Sequence, residues 1–259
     1  VMGAGMGTAL ACAVISLTMA WRCYFCNPAL SLNRKEKGSF ERNILQKALK
    51  IGTPVAVQEI AMSGAQVAST MIIAPLGAVA IAAHSFAITA ESFCYMPGYG
   101  IGSAATTLVG RSIGAKKDTL ARRYGIICTV MGAVFMGLTG LFMMFLCPLV
   151  FRVLTPDPNV RQLATRVLRI GLLAEPLYGV SIVAAGALRG TGDTFIPSLM
   201  NLGSIWIVRI GLAMLLVGPL GLQGVWIAMA TELCVRGLLM LYRHKTTPYY
   251  KKMPTAGPF

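Results

Sequence analysis

Apolar runs of twenty residues or more constrain this chain more than any other feature. They fall at roughly 1–25, 44–74, 77–109, 119–149, 160–188, 195–217 and 222–242, separated by short polar or charged breaks. A helix rises about 1.5 Å per residue, so about 20 residues cross the hydrocarbon core of a bilayer. In lipid every backbone polar group must be satisfied internally, and runs of this length without alternation do so as helices. The predicted fold is all-α: a polytopic membrane helix bundle of about seven transmembrane helices. The stretch 184–197, AAGALRGTGDTFIP, shows how two runs are joined. One run stops at Arg189, the next begins behind Pro197, and Gly190 and Gly192 permit the tight hairpin between them.

Composition agrees. The 259 residues are 56% hydrophobic and 12% charged, with a mean hydropathy of +0.68, whereas soluble domains carry about 25% charged residues. The net charge of +14 sits in clusters between the apolar runs, which argues against a nucleic-acid partner and for a lipid bilayer. Lys and Arg gather in 26–43, in 110–123, at Arg189 and in the C-terminal tail, while 75–78 and 218–221 carry no charge. The tendency of positive loops to stay inside places the rich loops and the C-terminus in the cytoplasm. The loop 150–161, with Arg152 and Arg161, fits this alternation least well. Val1 opens directly on an apolar run without a positive leader region, so further chain is expected upstream. The seven cysteines form one C-x-x-C pair, Cys23 and Cys26, without the second pair or His pair that zinc requires. No nucleophile–base arrangement, phosphate loop or metal-ligand spacing emerges. The chain is therefore predicted not to be an enzyme and to need no cofactor.

Four carboxylates lie deep inside the runs: Glu59, Glu91, Glu175 and Glu232. Each costs on the order of 3 kcal/mol at a helix centre, so each needs a compensating environment. Glu59, Ser63, Gln66 and Thr70 recur at helical spacing and share one predicted face. Glu91 shares a face with His84 and Tyr95, with Ser85, Thr89 and Ser92 beside it, and Glu175 stands one turn from Tyr178. Glu59, Glu91 and Glu175 lie 14 to 15 residues from the outer ends of their runs, which places all three near the midplane. Two readings fit: a water-accessible cavity, or polar side chains bonding across packed helices. Glu232 lies one turn from Arg236 and at a depth similar to Arg209, so the three are predicted to form a structural ion pair, with Arg209 meeting Glu232 across the hairpin. His84 reads as a satisfied packing histidine. Pro54, Pro97 and Pro176, each close to one of the acids, mark expected breaks that free backbone carbonyls.

Several motifs in fixed order carry a resemblance. They are GTP at 52–54, APLGAVAIAAHSFA at 74–87, Pro97-Gly98 followed by AATTLVGRSIGAKK at 104–117, GALRGTGDTFIP at 186–197 and GLQGVWIAMATE at 221–232. Over about residues 44–243 the chain resembles the multidrug and toxic compound extrusion (MATE) family. The resemblance implies a V of two six-helix lobes around a central cavity, and Na⁺- or H⁺-coupled export of organic-cation drugs and other xenobiotics across the cytoplasmic membrane. It implies that 1–25 is the last transmembrane helix of the N-terminal lobe and 26–43 the cytoplasmic inter-lobe linker. Residues 44–245 would then be the six-helix C-terminal lobe and 246–259 a cytoplasmic tail, with the rest of the N-terminal lobe as partner. The candidate cation and substrate site read from the residues themselves comprises Glu59, Ser63, Gln66, Glu91, Tyr95, Glu175 and Tyr178, with Na⁺ possible at Glu59 and Glu175. The acids of bacterial members align instead with Met62 and Tyr178, about one turn from Glu59 and Glu175. Two alternatives stay open. A lipid-linked precursor flippase of the same superfamily would want a cationic cavity, and the residues picked out here are mainly carboxylates. A non-transporting scaffold or decayed half-gene is the other.

Overall fold

The structure is a computed structural model, and it describes residues 2–22 and 42–247. Cys23, Cys26, most of the 26–43 linker and the tail beyond Thr247 lie outside the described residues. Residues 1–46 and 47–259 form separate compact units. In the first, α1 (Met2–Trp21) is a single apolar helix.

The second unit holds α2 (Arg42–Ile73, from Lys47), α3 (Ala78–Gly114), α4 (Asp118–Leu154), α5 (Pro158–Leu172), α6 (Glu175–Gly190), α7 (Phe195–Gly203), α8 (Gly211–Leu220) and α9 (Leu222–Thr246). A short 3₁₀ turn, Ala74–Leu76, joins α2 to α3, and a seven-residue π-helical segment, Ser204–Ile210, joins α7 to α8. The described residues contain no strand. α3, α4, Phe195–Leu220 and α9 are each long and apolar enough to cross a membrane, and α5 and α6 reach that measure only together, as a pair bent by 54°. α1, with an apolar stretch of Gly5–Trp21, and α2 do not meet that measure. The all-α membrane-length bundle is established; the count of seven is not.

The helices at the centre, α3, α4 and α6, meet through glycine. Gly102, Thr106 and Gly110 recur every fourth residue along α3 and face Gly186 and Gly190 of α6. The Cβ of any residue at 186 would collide with the carbonyl of Gly102, and one at 190 would lie 2.6 Å from the carbonyl of Thr106. Thr106 Oγ1 donates across this seam to Gly186 O at 2.8 Å. On α4, Gly132 and Gly140 take the same role against Gly179 and Glu175 of α6. Lipid supplies no hydrophobic drive between apolar helices, so small residues that let backbones touch dominate such contacts. The large apolar side chains point outward accordingly: Ile126, Val130, Phe135, Leu141 and Phe145 of α4 are all exposed.

The prolines divide. Pro54 and Pro97 sit inside continuous helices, so no break forms beside Glu59 or Glu91. The break comes at Leu173 and Ala174, where Pro176 occupies the first turn of α6, a position that has no need of its missing N–H.

At the 186–197 hairpin Gly192 takes φ of 84°, and Asp193 N donates back to Leu188 O at 3.1 Å. Asp193 then accepts two bonds from Arg243, at 2.9 and 2.6 Å, so the hairpin and the end of α9 share one face of the bundle. A second ion pair is internal to α9. Arg236 Nε lies 3.1 Å from Glu232 Oε1, and Ser204 Oγ donates to the same oxygen at 3.0 Å. The expected partner, Arg209, instead donates from Nη2 to Met229 Sδ at 3.0 Å. Arg236 reaches Glu232 because it stands one turn away on the same helix, whereas Arg209 belongs to the π-helical segment and is turned toward Met229.

Two outcomes follow for stability. Gly179→Ala puts a Cβ 2.7 Å from the carbonyl oxygen of Gly132. It should cost about 1–3 kcal/mol, the range for overpacking, whereas Gly100→Ala, inside α3 with nothing within 4 Å of its Cβ, should not lower the detergent melting temperature, because alanine favours a helix interior over glycine. Equal melting temperatures for the two would contradict this packing. Glu232→Gln leaves Arg236 buried without its counter-charge and should cost about 3–5 kcal/mol. Replacing both with apolar residues should cost less than the single change, and additive losses would argue against the pair.

Candidate functional site

The polar stripe of α2 does not face the core. Gln58, Ala65, Ser69 and Ile73 are buried, with Met62 half-buried between them, while Glu59, Ser63, Gln66 and Thr70 are exposed. The buried set has the spacing of the exposed set displaced by one residue, about 100° of rotation. A membrane-length helix thus shows a polar face outward and keeps a narrower face for its neighbours.

Between α2 and the face built by α3, α6, α7, the π-helical segment and α9 runs a cleft of two adjoining cavities, of about 100 and about 110 Å³. Met62, Tyr99, Tyr178 and Arg236 line both. The first adds Gln58, Glu59, Arg189 and Asn201; the second adds Gln66, Glu91, Tyr95 and Arg209. The structure therefore brings Glu59, Gln66, Glu91, Tyr95 and Tyr178 to one cleft. Ser63 and Glu175 line neither cavity. The charge of the lining differs from the sequence reading: Glu59 and Glu91 are outnumbered by Arg189, Arg209 and Arg236. Met62 and Tyr178, where the family's acids align, lie at the centre.

Three tyrosines build the wall. Tyr95 sits edge-on to Tyr99 and to Tyr178, with centroids 5.8 Å away in both pairs. The hydroxyls of Tyr99 and Tyr178 are 3.5 Å apart, and the Arg236 guanidinium lies 5.3 Å from the centre of the Tyr178 ring. α3 places Tyr95 and Tyr99 one turn apart, and the α6 start places Tyr178 opposite them.

Two further acids are buried, Glu91 in the lining of the second cavity and Glu175 outside both. Glu175 is fully buried, packed where α4 has Gly140, and neither of its carboxylate oxygens has a hydrogen-bond partner. Glu91, 4% exposed, also has Oε1 unpartnered; that oxygen stands 3.3 Å from where a Cβ on Gly171 would be. The same glycine leaves room for Trp226, whose Nε1 donates to His84 Nδ1 at 3.2 Å. His84 is thus a packing histidine. The hydroxyls beside Glu91 do not bond across helices. Ser85, Thr89 and Ser92 donate to carbonyls of their own helix at 2.6–3.0 Å, as does Thr70. These residues do not supply the inter-helix bonds that the packing alternative required.

Gln58, Tyr99 and Asn201 escaped the sequence reading, which placed Met62 only through the family's alignment and Arg189 only in the hairpin. A signal existed for Gln58, since Gln58, Met62 and Gln66 recur at every fourth residue. For Arg189 and Asn201 no local pattern exists, because the hairpin folds α6 and α7 together to bring them to the cleft.

The MatE family model matches residues 54–215. The chain is 33% identical over 201 residues to "Probable multidrug resistance protein NorM" of Thermotoga maritima, covering 76% of this chain and 43% of that protein. It is 32% identical over 208 residues to "Multidrug resistance protein NorM" of Burkholderia vietnamiensis, covering 77% and 45%. Among solved structures, a MATE protein in the straight conformation superposes with a TM-score of 0.85 at 20% identity, over 97% of this chain and 57% of that one. Vibrio cholerae VcmN in the bent form gives 0.77 at 16% identity, over 92% and 52%. The chain spans about half the length of the curated relatives it matches. With a family model covering more than half of its residues and the fold shared along nearly its whole length, this chain belongs to the MATE family.

Proposed function

We propose that the chain forms part of a secondary active transporter that exports organic-cation drugs and other xenobiotics across the cytoplasmic membrane in exchange for Na⁺ or H⁺. Its positive loops and C-terminus face the cytoplasm in this reading, and an N-terminal lobe completes the cleft. The observation that carries it is the pair of buried acids, Glu91 and Glu175, with three of their four oxygens unpartnered. An isolated carboxylate in such surroundings is very costly as an anion, and binding a proton or a cation removes that cost. Their charges act on each other, so loading one changes the affinity of the other.

Coupling then follows from electrostatics. Glu91 lines the cleft, so emptying or loading it changes the charge that a bound drug meets there. Because linkage is reciprocal, a drug that is bound better when the acids are unloaded also promotes release of their ion. Tyr95 and Tyr99 supply rings for an organic cation, worth about 0.5–2 kcal/mol per contact, with Glu59 at the cleft margin as counter-charge. The exposed polar stripe of α2 supports the same reading, since Glu59 and Gln66 are ill-suited to lipid and suited to a wet path.

The test joins this chain to the N-terminal lobe of the Thermotoga maritima relative and follows drug accumulation in cells. The joined protein should lower accumulation in a gradient-dependent way. Glu91→Gln and Glu175→Gln should each abolish that dependence, while detergent melting shows the protein folded. Undiminished gradient-driven efflux in both variants would remove the two acids from the mechanism.

A further inference from the structure

Arg209 is a buried charge that the proposed coupling leaves unused. It is 9% exposed, it lines the cleft, and its Nε has no acceptor. Its Nη2 donates only to the thioether of Met229, a weak acceptor. Arg209 belongs to neither the Arg236–Glu232 nor the Arg243–Asp193 ion pair. The charged and titratable groups acting on it are Glu91 from α3, Tyr178 from α6, and Glu232 and Arg236 from α9. Glu232 is taken by Arg236 and by Ser204. Glu91 turns Oε1 toward Gly171 of α5. Arg236, 5% exposed, lines the same cavity. The hydroxyls of Tyr99 and Tyr178 stand 3.5 Å apart, and both tyrosines line that cavity with the two arginines.

A guanidinium presents a planar fork of donors that matches a carboxylate or a phosphate, and such charge-assisted bonds are among the strong ones. We propose that Arg209 and Arg236, with the Tyr99 and Tyr178 hydroxyls, form a binding site for an oxyanion, the carboxylate or phosphate group of a cleft ligand or of a lipid headgroup. The inference rests on the proposed function only in taking the cleft as the ligand's path. It adds a requirement on ligand chemistry: molecules carrying an acidic group are held in the same cleft whose tyrosines face organic cations. Glu91 shares the cavity, so its negative charge opposes the oxyanion, and neutralising it favours binding.

The experiment uses the purified chain in phosphatidylcholine nanodiscs, titrated calorimetrically with benzoate and with inorganic phosphate. Saturable binding of one of them is expected. Arg209→Gln should weaken it about tenfold or more, Arg209→Lys should fall between, and Glu91→Gln should strengthen it. In nanodiscs containing phosphatidylglycerol, native mass spectrometry identifies the source. A lipid retained by the wild type but not by Arg209→Gln makes the headgroup the occupant; no retained lipid makes it a soluble anion. Tetraphenylphosphonium is the control for the cation path, and Arg209→Gln should leave its binding intact. Its failure to bind the wild type counts against the proposed function and leaves the oxyanion result standing. The inference is overturned if the wild type takes neither anion nor lipid. It is equally overturned if Arg209→Gln binds as the wild type does, or if that variant loses the phosphonium together with the anion.

Discussion

The contact on which the rest depends is backbone against backbone at glycine: α6 touches α3 at Gly186 and Gly190 and touches α4 at Gly179. Nothing larger fits there, and Glu91, Tyr95, Tyr99, Glu175 and Tyr178 are all carried by α3 and α6. Glu175 opens α6 and packs where α4 has Gly140; Tyr178 follows one turn later and meets Tyr95 and Tyr99 of α3. A seam in which backbones touch cannot repack gradually, since interiors at this density resist small deformations. It therefore acts as a rigid wall against which α2 forms the open side of the cleft.

Charge is the second organising principle. The unit buries carboxylates and guanidiniums together yet pairs them incompletely. Glu232 and Arg236 form an ion pair, although Glu232 Oε2 has no hydrogen-bond partner, whereas Glu91, Glu175 and Arg209 have unpartnered atoms and belong to neither the Arg236–Glu232 nor the Arg243–Asp193 pair. An orphan in a low-dielectric interior costs about 1–3 kcal/mol or more. Glu91 and Arg209 line the cleft, where a bound ion or ligand would remove that cost.

Much of the fold was legible because a span of twenty apolar residues has few solutions. The hairpin was legible through Arg189, Gly192 and Asp193. The orientation of α2 was not. Its polar stripe at 59, 63, 66 and 70 and its buried stripe at 58, 62, 65 and 69 have the same period, and in a membrane polarity does not say which face is inside. Small residues do, and the Gly102–Thr106–Gly110 seam was the signal left unread. The partner of Arg209 was hidden for another reason: a π-helical stretch changes the register that a 3.6-residue period assumes. Likewise Pro54 and Pro97 looked like breaks, but both are accommodated in continuous helices, and only the bend ahead of Pro176 formed.

The central claim is that Glu91 and Glu175 hold an exchangeable proton or cation. Infrared difference spectroscopy on the purified chain in nanodiscs tests it most directly, since carboxylic acid and carboxylate absorb in separate bands. Adding Na⁺, or raising the pH, should convert carboxylic acid to carboxylate signal, and the part of that signal due to these residues should vanish in the Glu91→Gln, Glu175→Gln double variant. A spectrum indifferent to Na⁺ and pH, or a full signal in the double variant, would contradict the account.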